Sequence, residues 1–123
     1  MRKFYQRDRQ GLAKIFLNRV HCQEMYQEKY YDYFCSQPPV SMKRGLDFLA
    51  SADLSEDLRR IESPVMLVHG GGDEVIPSES SLSMASMISD SRCEIIVDCG
   101  HDVVYQSLPE LEAKISSFLL ECS

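Results

Sequence analysis

Hydrophobic positions along the chain follow two periods, and the change from one to the other falls near residue 53. Before that point the spacing is helical. Leu12, Ile15, Phe16 and Val20 recur at i, i+3, i+4 and i+8 with Arg19 at i+7, which predicts a helix that buries one stripe and lays an Arg stem along it. Gly11 weakens the start of that helix by about 1 kcal/mol relative to Ala. Tyr26, Tyr30, Tyr33 and Phe34 form a second, aromatic stripe of helical spacing. Gln37-Pro38-Pro39 ends that helix, and Ser41 is the expected N-cap of a third carrying Met42, Gly45, Leu46 and Leu49. Two or three short helices over residues 1–52 would form a cap.

From residue 53 onward the pattern alternates between helix and strand. Asp53 to Glu62 reads as a short helix with Leu54, Leu58 and Ile61 on one face. Pro64 then opens the unbroken apolar run Val65-Met66-Leu67-Val68, as expected of a parallel strand covered on both faces. Pro77 and Ser78 open a helix predicted to turn Leu82, Ala85, Met87 and Ile88 inward, with Ser80, Ser81, Ser83 and Ser86 outward. A second strand is expected over about Glu94 to Val97. After it, a final helix from Pro109 places Leu111, Ile115, Phe118, Leu119 and Cys122 on one face. Strand, helix, strand implies a right-handed parallel crossover. The predicted class is α/β, with two parallel strands and flanking helices over residues 53–123 preceded by the helical cap.

Candidate chemistry sits where the two strands end. Gly70-Gly71-Gly72 is read as a turn using positive φ, which sets Asp73 just past the carboxyl end of the first strand, the place where open α/β sheets carry their reactive groups. Gly100 closes the second β-rich run and His101 follows at once. A carboxylate and an imidazole on separate strand ends are what a triad needs, because the acid fixes the tautomer of the base and stabilises its protonated form. His21 and His69 have better structural than catalytic readings. Asp98 and Asp102 compete for the acid role but are neighbours of His101 in a tight turn. Cys99 leaves a Cys-His dyad open.

The ordered set Asp53-Leu54, Leu58, Ile61, Pro64-Val-Met-Leu-Val-His-Gly, Asp73, Pro77, Gly100-His101 and Leu108-Pro109-Glu110 resembles the C-terminal third of an α/β-hydrolase. The resemblance implies that Asp73 is the triad acid and His101 the base, and it implies no metal or organic cofactor. Residues 1–50, with Gly45-Leu46-Asp47-Phe48-Leu49 ahead of Asp53-Leu54, are similar to the lid of the pimeloyl-acyl-carrier-protein methyl ester esterases of biotin synthesis. One departure is large: no G-x-S-x-G occurs in the 123 residues, so the nucleophile elbow and its oxyanion hole are missing from them. A chain that opens with Met1 inside a lid-like segment is expected to be the C-terminal part of a longer enzyme, a truncated reading frame, or one piece of a two-part assembly. Carboxylic ester hydrolysis is the expected reaction of the whole, with an inactive fragment or interaction module of the same fold as the alternative.

Composition narrows the partners. The chain is 44% hydrophobic with a net charge of −6, so it is globular rather than disordered. Five cysteines without a C-x-x-C argue against a zinc site or a disulfide framework. No apolar run of membrane-spanning length and no signal core occur, giving a cytoplasmic expectation without membrane contact. The charge is uneven: residues 1–45 hold nine Lys or Arg against four Asp or Glu, and the remainder four against fifteen. Nucleic acid is not an expected partner of so acidic a chain. The basic residues Arg7, Arg9, Lys14 and Arg19 read as solvated helix surface or as a dock for an acidic acyl carrier protein. Two strands with unpaired edges further predict association, either with a missing N-terminal half or with another copy.

Overall fold

The computed structural model describes residues 8–20 and 24–123, with residues 24–27 described by backbone alone; Arg7, His21 and the side chain of Tyr26 lie outside the described residues. The chain divides into two compact units, Met1–Asp53 and Leu54–Ser123.

Among its described residues the first unit contains three helices, α1 (Arg9–Arg19), α2 (Glu24–Ser36) and α3 (Pro39–Ser51). The Asp8 carboxylate caps α1 by accepting the N–H of Gly11 at 2.8 Å. A Cβ on residue 11 would collide with that carboxylate, so the glycine that costs helix propensity makes room for the cap. The buried face of α1 is Leu12, Ala13, Leu17 and Val20, whereas Ile15 is 53% exposed. The stripe is therefore rotated from the expected one. Ala13 and Leu17 stand at i and i+4, and a residue as small as Ala13 lets α2 pack close against α1. Phe16 stacks on Phe34 with ring centroids 5.8 Å apart. Along α2 the inward side chains are Tyr30, Tyr31, Phe34 and Cys35, and Tyr33 faces solvent, again a rotation of the expected stripe. The helix α3 starts two residues before Ser41, with Pro39 at its first position, where a fixed φ and a missing N–H do no harm. Ser41 thus lies in the first turn rather than at the cap.

The second unit runs α4 (Ser55–Arg59), β1 (Val65–Gly70), α5 (Glu79–Met87), β2 (Ser91–Ile96), α6 (Val103–Gln106) and α7 (Leu108–Glu121). β1 and β2 pair in parallel, in register from Val65 with Ser91 to Gly70 with Ile96. The second strand starts three residues earlier than expected and stops before Val97, which is exposed. β1 is half-buried along most of its length because β2 is its only strand partner among the described residues.

Two helix faces differ from the pattern. On α5, Ser81 is buried and Leu82 is 49% exposed, the reverse of the expected arrangement, while Ile88 is buried just past the helix end. On α7, Leu111, Lys114 and Phe118 face inward, whereas Ile115, Leu119 and Cys122 are exposed. The cause is β2, which sets Arg92 and Glu94 on one face at period two. Lys114 donates to Glu94 at 2.9 Å, and Arg92 donates to Glu121 at 2.7 Å while lying over the Phe118 ring. A polar strand face selects a polar helix stripe. The four-residue α6 has no hydrophobic period to announce it.

Candidate active site

Two loops at the carboxyl ends of β1 and β2 form the site. Gly70 ends β1 directly against the next loop, and a Cβ there would run into the carbonyl groups of Cys99 and Gly100. The N–H of Gly71 donates to Ile96 at 2.7 Å and that of Gly72 to Cys99 at 2.8 Å, tying the loops together. None of Gly70, Gly71 and Gly72 adopts the left-handed backbone expected of them. What they supply is closeness: two backbones approach where any side chain would hold them apart. On the other loop, the N–H of Gly100 donates to the side-chain oxygen of Gln106 at 2.5 Å, so α6 fixes the residue just ahead of His101.

Asp73 and His101 meet across this junction. His101 Nδ1 lies 2.8 Å from Asp73 Oδ2, the carboxylate only 4% exposed and the imidazole 32%. The second oxygen, Oδ1, accepts the N–H groups of Val75 at 2.7 Å and Ile76 at 3.0 Å. Burial is the largest single influence on this carboxyl and pushes its pKa up. The Ile76 and Val75 N–H groups and His101 together outweigh it and hold the pKa below the ordinary value. An ionised Asp73 can only accept, so a neutral His101 carries its proton on Nδ1 and has its lone pair on Nε2.

A second histidine joins them. His69 Nε2 lies 3.0 Å from the Ile76 carbonyl oxygen and 3.2 Å from Asp73 Oδ2, and its Nδ1 is 2.7 Å from the Ser81 hydroxyl. Neither residue stands out in the sequence beyond the four-residue spacing of His69 and Asp73. Cys99 is buried, and its thiol pKa is pushed up by burial and by the nearby carboxylates of Glu110, Asp102 and Asp73. Its Sγ faces Gly100 and Gln106 oxygens, which favours the thiol over the thiolate. Of the basic set, Arg9 reaches the carbonyl groups of Cys35 and Gln37 at the end of α2, and Lys14 and Arg19 are exposed on α1. No three His, Cys, Asp or Glu side chains among the described residues are placed to hold a metal ion, and no helix among them is long and apolar enough to cross a membrane.

A parallel strand pair with a crossover helix, carrying a carboxylate and an imidazole in contact at its carboxyl ends, is an arrangement of the α/β class that α/β hydrolases share. A family model of the alpha/beta hydrolase fold matches residues 3–108, and the chain belongs to that family. It is 36% identical over 72 residues to a 2-hydroxy-6-oxo-2,4-heptadienoate hydrolase of Pseudomonas putida, covering 58% of this chain and 25% of that protein. It is 25% identical over 111 residues to a 2-hydroxymuconate semialdehyde hydrolase of a Pseudomonas species, covering 90% and 38%. Against a pimeloyl-[acyl-carrier protein] methyl ester esterase of Aromatoleum aromaticum the identity is 35% over 63 residues, covering 51% and 25%. An esterase of Exiguobacterium antarcticum shares the fold with a TM-score of 0.83 at 21% identity, over 95% of this chain and 45% of that one. The chain therefore spans between a quarter and two-fifths of these curated relatives.

Proposed function

We propose that this chain is the C-terminal segment of a serine-type hydrolase of carboxylic esters, in which Asp73 is the acid and His101 the base. The lid segment is residues 1–52 and the core segment residues 53–123. The observation that carries this reading is the 2.8 Å contact of His101 Nδ1 with a buried Asp73 whose other oxygen is filled by two N–H groups. Such a pair presents Nε2 to a nucleophile. A serine outside these 123 residues attacks the ester carbonyl, His101 takes its proton and passes it to the leaving alcohol, and the acyl-enzyme is hydrolysed by the same steps with water. Asp73 stays ionised and stabilises the imidazolium. The competing reading, an inactive fragment or interaction module, makes the same contacts without a serine to serve.

The deciding experiment is reassembly. A nucleophile-bearing N-terminal half, supplied in cis or in trans, is expected to give ester hydrolysis with this chain, and the chain alone none. In the assembled enzyme Asp73→Asn should lower kcat by about 10⁴-fold through the wrong His101 tautomer, and His101→Ala at least as much. Near-normal turnover by either folded variant would sink the assignment.

The substrate reading is a carrier-bound acyl methyl ester, supported by the relatives that are pimeloyl-[acyl-carrier protein] methyl ester esterases and by the exposed Lys14 and Arg19. Hydrolases of other small molecules match over a similar share of the chain, so the test must separate them. If Arg7, Arg9, Lys14 and Arg19 dock an acidic carrier, the ratio of kcat/KM for carrier-bound over free ester should exceed one and fall with salt, since the Debye length shrinks below about 8 Å above physiological ionic strength. A ratio near one that ignores both salt and Arg19→Glu would remove the carrier protein.

A further inference from the structure

Ser81 is a buried polar residue on the inward face of α5, where an apolar residue would be the usual occupant. Its hydroxyl meets His69 Nδ1 at 2.7 Å, and the other nitrogen of that ring faces Asp73 Oδ2 at 3.2 Å and the Ile76 carbonyl at 3.0 Å. A carbonyl only accepts, so Nε2 of His69 carries a hydrogen. With that hydrogen assigned, a neutral ring has its lone pair on Nδ1, and the Ser81 hydroxyl donates to it. Asp73 Oδ2 then lies between two imidazoles, His101 at 2.8 Å and His69 at 3.2 Å.

We propose that His69 is a positioning residue for the Asp73–His101 pair, held in its Nε2–H tautomer by the Ile76 carbonyl, with Ser81 donating to Nδ1. This role rests on reading Asp73 and His101 as acid and base. The Nε2–H bonds the Ile76 carbonyl and so pins the turn whose Val75 and Ile76 N–H groups hold Oδ1, while the same ring edge stands 3.2 Å from Oδ2. It also draws charge from the oxygen that faces His101. Three of the four groups around the carboxylate come from its own turn or from β1, and only His101 arrives from the other loop. The acid is therefore oriented before the base reaches it. Ser81 extends the chain of donors one step further, from α5 through His69 to Asp73.

The test uses the 123-residue chain labelled with ¹⁵N-histidine, read by long-range ¹H–¹⁵N correlation near neutral pH. The expected pattern is Nε2–H with bare Nδ1 for His69, and Nδ1–H for His101. In Ser81→Ala the His69 Nδ1 resonance should move downfield, as for a ring nitrogen that has lost its donor. In His69→Phe the His101 Nδ1–H proton should move downfield, because the polar Nε2–H edge 3.2 Å from Asp73 Oδ2 is gone, and His69→Gln, whose amide can donate, should return it toward the original position. A role in packing alone predicts the opposite ranking, with the bulky Phe harmless and Gln disruptive. His69 protonated on Nδ1, or no movement of its Nδ1 resonance in Ser81→Ala, overturns the proposal even if His69→Phe fails to fold. In a reassembled enzyme His69→Phe should lower kcat by about 10-fold at unchanged KM, the scale of one buried hydrogen bond. The expected tautomers without hydrolysis by the assembled enzyme would support the positioning role and remove the ester chemistry, so the two readings fail separately.

Discussion

Cys99 and Asp73 are both buried beside His101, and burial acts on them in the same direction with different outcomes. Burial and neighbouring carboxylates raise the thiol pKa, leaving Cys99 a hydrophobic wall of the loop rather than a nucleophile. In the native chain at pH 8, iodoacetamide should reach Cys122, which is exposed, well before Cys99, as read by peptide mass mapping. Early alkylation of Cys99 in folded protein would reopen the Cys-His dyad. For Asp73 the hydrogen bonds win over burial, and the folded pKa lies below the ordinary value. The sign follows from linkage: a depressed carboxyl pKa adds stability above the unfolded value, near 3.9, and that stability is lost as pH falls through the lower folded value. Asp73→Asn should therefore flatten the acid limb of the unfolding curve below about pH 4. An unchanged acid limb in calorimetric scans would mean that Asp73 is not held as described.

Among the elements, the junction of β1 with the loop after β2 is the least tolerant of change. Gly70→Ala places a Cβ against two backbone carbonyls that cannot swing aside, and overpacking of this kind costs about 1–3 kcal/mol or more. The expected result is a lower urea midpoint together with loss of the His101 Nδ1–H resonance, since the loops must separate; retention of both would show that the junction is pliant. This junction also marks the limit of what the sequence disclosed. Strand identity, the parallel crossover and the places of Asp73 and His101 were legible, because a glycine-terminated apolar run signals a strand end without reference to any partner. The helix faces were not. Leu82 and Ser81, or Ile115 and Lys114, are adjacent in sequence, and which of each pair turns inward is set by His69 and Glu94 on the strands. Periodicity counts apolar residues, and here the strands ask for polar ones. Ser81 was expected to face outward for the same reason, and its contact with His69 was not foreseen.

At the scale of the whole molecule, β1 lacks a second strand neighbour among the described residues, and Leu54, Val97, Val104, Leu119 and Leu120 are exposed. An unpaired strand edge beside exposed apolar side chains recruits another chain. Sedimentation velocity of the isolated chain should show a weight-average mass above that of one copy, reverting toward a defined heterodimer when an N-terminal half is added. A monodisperse monomer with a cooperative melt would instead describe an independent small domain. The polar contacts that unite Asp73, His69, Ser81 and His101 all lie within residues 69–101, which makes the cluster a portable cassette. Recombination that exchanges everything before residue 54 between family members would pass these contacts on unaltered, because none of them reaches into the exchanged segment.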